Sequence, residues 1–168
     1  MPQQLPTVTA FYNTPIGVLR LEATEEALLA ASFLEEKNTI VFERTTHPVV
    51  SNVVQQLEEY FNGERRVFQL PLAPQGTAFQ QKVWNELQKL KYGTTATYLQ
   101  MAQRLGNKNS IRAAATANGK NPIAIIIPCH RVVGANGALT GYAGGLHRKL
   151  WLLEQEARHA GQPSLFGT

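Results

Sequence analysis

Cys129 is the only cysteine of the chain, and His130 and Arg131 follow it directly. A thiol becomes a nucleophile once a neighbouring base or cation populates its thiolate. A lone cysteine is equally at home as a small buried hydrophobe, and both readings stand at this point. Adjacent residues on an extended chain point to opposite faces, so a bare Cys-His pair argues for the core. Pro128 on one side and the cation of Arg131 on the other argue for chemistry. The stretch before them, Ile123-Ala124-Ile125-Ile126-Ile127, is apolar and mostly β-branched, and it predicts a buried strand. Pro128 has no N–H for a ladder and would end the pairing there, presenting Cys129 at the lip of a packed core.

Composition limits what can surround such a site. The 168 residues, 43% hydrophobic, suffice for one domain or two small lobes. No apolar stretch reaches the ~20 residues needed to cross a bilayer, and Met1-Pro2-Gln3-Gln4-Leu5-Pro6 lacks the basic and apolar regions of a signal peptide. A single cysteine excludes an internal disulfide and cysteine-based zinc sites, and it fits a reducing, cytoplasmic compartment. All 12 acids are Glu, so Asp-rich magnesium sites are absent. From Met1 to Leu70 there are 9 Glu against 5 Lys and Arg; from Lys91 to Leu153 there are 8 Lys and Arg and no acid. The net charge of +4 thus conceals a strongly basic C-terminal half, the footprint expected for a polyanionic partner. A solvated basic face without a partner is the blander account, made less attractive by 63 residues without one carboxylate.

The spacing of apolar and turn residues gives the frame. Val8–Tyr12, Val18–Leu21 and Leu28–Phe33 read as strands, with Thr14-Pro15-Ile16-Gly17 as the first turn. Thr46-His47-Pro48 opens a helix carrying Val49, Val50, Val53, Val54, Leu57, Tyr60 and Phe61 until Gly63. Val67–Leu72 reads as a further strand. Past Pro74-Gln75-Gly76, Thr77 and Gln80 fit a capping box, with Phe79, Val83, Leu87 and Leu90 on one helix face and Tyr92-Gly93 at its end. Two short helices, Thr97 to Leu105 and Ser110 to Asn118, flank a turn at Gly106-Asn107-Lys108-Asn109, the helix-turn-helix plan. The second carries Arg112, Ala113, Ala114, Ala115 and Ala117. Major-groove readers place Asn, Gln or Arg there; an alanine face lets backbone approach a groove with little sequence readout, or packs on a neighbouring helix. Residues 134–145 are glycine-rich but have no Walker lysine or dinucleotide fingerprint. A last helix from about Leu146 places Leu146, Leu150, Leu153 and Ala157 inward, with Glu156 beside that face.

Pro-Cys-His-Arg-Val at 128–132 resembles the active-site signature of the O6-alkylguanine-DNA alkyltransferases, the methylated-DNA–protein-cysteine methyltransferases. The resemblance runs from Gly76-Thr77-Ala78-Phe79-Gln80 and Val83-Trp84 to about Glu156, with Tyr98, Arg112, Asn121-Pro122 and Tyr142 at family spacing. Thr14-Pro15-Ile16-Gly17 is similar to the family's N-terminal lobe, and the layout is most like the bacterial constitutive enzymes. The resemblance implies an α/β (α+β) protein: an N-terminal ribonuclease H-like lobe (1–75), a mainly helical, winged-helix-like domain (76–160) and a flexible tail (161–168).

It also implies an activity. The alkylated guanine, and O4-alkylthymine likewise, would be flipped out of duplex DNA through the minor groove. Arg112 would fill the vacated space, Tyr98 would press on the adjacent phosphate, and Ser110, Ala113 and Ala115 would lie against the groove. Cys129 would take the alkyl group in one displacement, with no cofactor and no metal, and the protein would be consumed. His130 would act as base through a water, Glu156 would orient its imidazole, Tyr142 would serve the leaving guanine, and Asn121 would pin the turn before the cysteine. Backbone groups of Cys129, Val132 and Ala143 would hold the base edge, with Gly144, Ala124 and Arg131 completing the pocket. Ala143 stands where a vertebrate member has serine, and Ala124 where it has a pocket-lining proline.

Gln162-Pro163-Ser164-Leu165-Phe166 resembles the peptide by which bacterial repair proteins dock on the sliding clamp. The chain itself is expected to be monomeric in isolation and to have no membrane partner. Two other classes remain: a non-catalytic alkyl-DNA binding protein that signals to another repair pathway, and a cysteine hydrolase using Cys129 with His130 or His147.

Overall fold

The computed structural model describes residues 5–35 and 45–162. The chain divides into two compact units, Met1–Gln75 and Gly76–Thr168. Residues 163–168, which include most of the clamp-like peptide, lie outside the described residues.

Among the described residues, the first unit has a three-stranded antiparallel sheet backed by one helix. Strands β1 (Val8–Thr14), β2 (Gly17–Ala23) and β3 (Leu28–Phe33) pair in sequence order. The β1–β2 turn is closed by the Thr14 hydroxyl, which donates to the Gly17 carbonyl at 2.6 Å and accepts from the Ile16 N–H. Leu19, Leu21, Ala23, Leu28 and Ala31 form the inner face. Helix α1 (Pro48–Phe61) covers them with Val49, Val50, Val53, Leu57 and Tyr60. His47 caps α1 by accepting from the Val50 N–H, and Pro48 takes the first turn, where its missing N–H is not needed.

The strand expected over Val67–Leu72 does not form. Only Leu28 and Leu72 make an isolated parallel bridge. The segment is held instead by the buried Gln56, whose side chain both donates to and accepts from the Gln69 backbone at 3.0 and 2.9 Å. Pro71 near its end has no N–H to extend a ladder. This unit has a cavity of about 390 Å³ lined by Tyr12, Thr14, Glu58 and Phe61 among others. Burial first and the Glu58 charge second push the Tyr12 phenol up to about 12.

The second unit is mainly helical. Helix α2 (Ala78–Leu87) starts with the full Thr77–Gln80 capping box. It ends at Leu87, earlier than the Tyr92-Gly93 boundary expected, and continues as turns that bury Leu90. Trp84 of α2 is buried and its indole N–H donates to the Ala117 carbonyl at 2.9 Å. A two-residue strand β4 (Ala96–Thr97) leads into α3 (Tyr98–Arg104), which has its own capping box from Thr97 and Gln100. A turn through Gly106 and a short 3₁₀ segment, Lys108–Ser110, lead to α4 (Ile111–Gly119). The helix-turn-helix plan is therefore present.

The isoleucine run is not a strand. Residues 124–126 form a turn, and Ile125 has φ +69°, the left-handed region that β-branched residues avoid. Asn121 drives this. Its amide donates to the Ile127 carbonyl at 2.8 Å and the Ile123 carbonyl at 3.2 Å, and its oxygen accepts from the Ile123 N–H. These are the backbone groups that a ladder would have used. Ile123, Ile125, Ile126 and Ile127 are all buried, so the run's apolarity reflects core packing rather than sheet pairing.

A 3₁₀ turn, Cys129–Arg131, follows at once. It leads into β5 (Val132–Val133), which pairs in parallel with β4 through Ala96–Val132 and Thr97–Val133. The last helix, α5 (Leu146–His159), buries Arg148, Lys149, Leu152, Leu153, Glu156 and Ala157, whereas Leu146, expected inward, is 45% exposed. Polar partners explain how two cations and a carboxylate enter the core, and they belong to the site.

Candidate active site around Cys129

Cys129 is held by local structure on both sides. Upstream is the Asn121-pinned turn; downstream the β4–β5 bridge fixes Val132. The residue is 7% exposed. Burial pushes its thiol up, against the opposing influence of the Asn121 amide and the Lys149 charge. A thiol held up in this way needs a proton acceptor to react, the part expected of His130.

His130 is fully buried, and its Nε2 lies 2.8 Å from Glu156 Oε2. Burial holds the imidazole below its ordinary value, against the pull of Glu156, so the ring is neutral near pH 7. A neutral ring beside a carboxylate donates from Nε2 and keeps its lone pair on Nδ1. That Nδ1 is buried and meets no hydrogen-bond partner among the described residues.

Glu156 is buried, not the surface carboxylate that its helix position alone suggests. Burial works to raise its value, but His130 and Arg131 outweigh it and hold the carboxyl well below the usual range. With His130 neutral, the charge that keeps Glu156 ionised is that of Arg131. The guanidinium donates from Nε to Oε1 at 2.8 Å and from Nη2 to Oε2 at 3.0 Å, a bidentate pair. Its Nη1 donates to the Leu90 carbonyl at 2.8 Å, and the Tyr92 ring lies 5.6 Å beneath its centre. Arg131, expected in the pocket wall, is instead committed to Glu156 and to the turn after α2. The correction has a simple cause: a buried guanidinium needs partners for its donors, and those groups supply them.

Tyr142 brings a second unsatisfied group. Its hydroxyl is buried without a hydrogen-bond partner among the described residues. Burial, then the Cys129 charge, push the phenol well above its ordinary value, so it remains a proton donor. The loop that carries Tyr142, Ala143 and Gly144 is tied down from α5. Arg148 donates to the Gly144 carbonyl at 2.9 Å, and Lys149 to the Thr140 carbonyl at 2.7 Å. Gly145, at φ +94°, joins loop to helix, and a Cβ there would meet the His147 ring at 2.9 Å.

Lys149 was not singled out from sequence. It is fully buried, lowered to about 8 by burial against the Cys129 charge, and acts electrostatically on that cysteine. Its position seven residues before Glu156, two turns along one helix face, was the available signal.

The groups expected to touch nucleic acid lie on the surface of the same unit. Arg112 and Ala113 are exposed, and Ser110, Ala115 and Tyr98 are half-buried. Ala114, Ala117 and Asn118 form the opposite, buried face of α4. The alanines therefore serve both purposes considered: one face packs in the core and the other lies open. Ala124 is half-buried and Ala143 exposed. Among the described residues no three His, Cys, Asp or Glu side chains converge as metal ligands, and no helix is long and apolar enough to cross a membrane.

Comparison with known proteins gives this arrangement its family. Residues 7–74 match the model of the 6-O-methylguanine DNA methyltransferase ribonuclease-like domain, and residues 78–158 that family's DNA binding domain. The chain is 45% identical over 150 residues to a methylated-DNA–protein-cysteine methyltransferase of Methanosarcina acetivorans, covering 88% of this chain and 96% of that protein. It is 42% identical over 139 residues to the constitutive methylated-DNA–protein-cysteine methyltransferase of Bacillus subtilis, covering 79% and 84%. The crystal structure of the Mycobacterium tuberculosis protein in complex with DNA superimposes with a TM-score of 0.81 at 41% identity, over 93% of this chain and 95% of that one. With both domains matched and a protonated thiol placed in one unit with a neutral, carboxylate-bound imidazole, this chain belongs to the methylated-DNA–protein-cysteine methyltransferase family.

Proposed function

We propose that the chain repairs DNA by direct reversal, moving the alkyl group of O6-alkylguanine, and of O4-alkylthymine, in duplex DNA onto Cys129. The observation that carries this reading is the buried network of His130, Glu156 and Arg131 beside a buried thiol, with two unsatisfied groups left over. Those two, His130 Nδ1 and the Tyr142 hydroxyl, are a proton acceptor and a proton donor, which a displacement at an ether carbon requires.

In the step itself, the Cys129 proton passes through a bridging water to His130 Nδ1, and the sulfur forms a bond to the alkyl carbon. The carbon–O6 bond breaks, its electron pair stays with the purine, and Tyr142 supplies the proton that leaves guanine neutral. The proton on His130 restores the phenol. One alkyl group has been exchanged for one proton, and the thioether at Cys129 has no return path. Each molecule therefore acts once. Asn121 fixes the turn that sets the sulfur, and backbone groups of Cys129, Val132 and Ala143 hold the base edge. Ala124 and Gly144 complete the pocket.

The base reaches that pocket by leaving the stack through the minor groove. Ser110, Ala113 and Ala115 bring the α4 backbone against the groove, Arg112 fills the gap, and Tyr98 contacts the neighbouring phosphate. Arg112→Ala should slow repair in duplex by about 10- to 100-fold, the scale of a few kcal/mol of unstacking. Reaction with the free base should change far less. Equal effects on both substrates would remove Arg112 from base extrusion.

The protein acts as a cytoplasmic monomer in this reading. Gln162–Phe166 would dock it on the sliding clamp, a proposal that rests on sequence alone. Deleting residues 162–168 should abolish clamp binding and leave alkyl transfer intact; unchanged clamp binding would dispose of it.

Mass measurement after incubation with methylated-guanine duplex tests the central claim. One methyl group at Cys129, at a stoichiometry no higher than one, is the expected outcome. Unchanged mass with retained DNA binding would make the chain a non-catalytic binder, and repeated turnover of an ester or amide would make it a hydrolase.

A further inference from the structure

Thr140 uses each of its groups on a different part of the second unit. Its hydroxyl donates to the Tyr98 hydroxyl at 3.4 Å, linking it to the first residue of α3. Its carbonyl accepts from the buried Lys149 ammonium at 2.7 Å. Its methyl faces Gly134 so closely that a Cβ there would sit 3.2 Å from it. The loop beyond Thr140 is short and tied: the Gly145 N–H donates to the Tyr142 carbonyl at 2.9 Å, and Arg148 holds Gly144.

We propose that Thr140 is a positioning residue that links Tyr98 to the loop carrying Tyr142 and Ala143, so that DNA contact at Tyr98 sets the geometry of the pocket. The inference rests on the function proposed above and adds to it a means by which a contact on the surface reaches the site.

The hydrogen-bond directions favour this. The Tyr98 oxygen accepts from Thr140, so its own proton is left to donate elsewhere, and a phosphate oxygen is a strong acceptor. Donation to an anion polarises the Tyr98 oxygen and strengthens the bond it receives from Thr140. Thr140 is then drawn towards α3 with its carbonyl still on Lys149, the same cation that acts on Cys129. Phosphate contact thereby tightens the loop and keeps the ammonium in place. The 3.4 Å separation is long for an O–H···O bond, so the link has room to shorten.

Thr140→Val isolates the hydroxyl, because valine keeps both the methyl against Gly134 and the backbone carbonyl. With undamaged duplex and the full chain, amide exchange at residues 141–145 should slow at least about threefold on DNA binding in the parent protein. It should not change in Thr140→Val, and Thr140→Ser should restore the effect. On methylated substrates, the ratio of duplex to free-base transfer rates should fall about three- to tenfold in Thr140→Val. Tyr98→Phe, which removes the phosphate contact together with the link, should lower it at least as far, and adding Thr140→Val to that variant should lower it no further.

Equal slowing of exchange in the parent and in Thr140→Val overturns the inference. The exchange measurement needs no alkyl transfer, so it separates two failures. A parent protein that binds duplex but transfers nothing defeats the proposed function, whereas one that transfers normally with Thr140→Val unaltered defeats the link alone.

Discussion

Cys129→Ser should bind methylated duplex as the parent protein does and gain no mass. Serine preserves the size and the buried setting but replaces a polarisable sulfur with an alcohol that the neutral His130 cannot deprotonate to a useful extent. Transfer should fall by at least about 10⁴-fold. Binding should survive because the charges and surfaces proposed to meet DNA, Arg112, Tyr98 and the open face of α4, are not altered. The measurements are intact mass after incubation and duplex affinity at fixed salt, since phosphate contacts make affinity salt-dependent. Equal loss of both would show that Cys129 acts as a core residue.

The second large effect lies in the carboxylate. Glu156→Gln keeps the shape of the side chain but removes the charge that faces Arg131, leaving a buried guanidinium without a counter-ion. The cost should be about 3–5 kcal/mol, which for a chain of this length lowers Tm by roughly 10 °C. Transfer should drop about a hundredfold or more, because the imidazolium formed during proton removal loses its stabilising anion. The pH dependence has a definite sign. The folded carboxyl lies below its ordinary value of 4.5, so its contribution is complete above that pH and is lost as pH falls through the folded value. The gap in Tm between parent and variant should therefore be full at pH 7 and narrow below about pH 4.5. Equal melting at neutral pH would refute the stabilising role of the pair.

Where local chemistry decides a structure, the sequence was sufficient. His47-Pro48 and Thr77 with Gln80 satisfy helix N-termini from their own neighbourhood, and α1 and α2 begin there. The helix-turn-helix followed from the Gly106 turn between two short periodic stretches. The isoleucine run misled for a physical reason. Apolar β-branched residues report burial, and burial alone does not distinguish a ladder from a packed turn. What decided it was Asn121, whose amide captures backbone groups up to six residues away and admits φ +69° at Ile125. The functional pairing was illegible for another reason. His130 and Glu156 are 26 positions apart, joined only when α5 packs against the 129–131 turn. Family resemblance points to that pair, while the bidentate hold of Arg131 and the burial of Lys149 depend on how α5 packs.

The open face of α4 bears on how the protein can cover a chromosome. Alkylating agents strike guanines whatever lies next to them. Long amide or guanidinium side chains across that face would dwell on some neighbourhoods and skip others, leaving damage behind. In the docking proposed above, Ala113 and Ala115 would offer no such discrimination, so every stretch of duplex would be inspected on nearly equal terms. The corollary would be a brief stay at each place, governed by phosphate attraction and shortened as ionic strength rises.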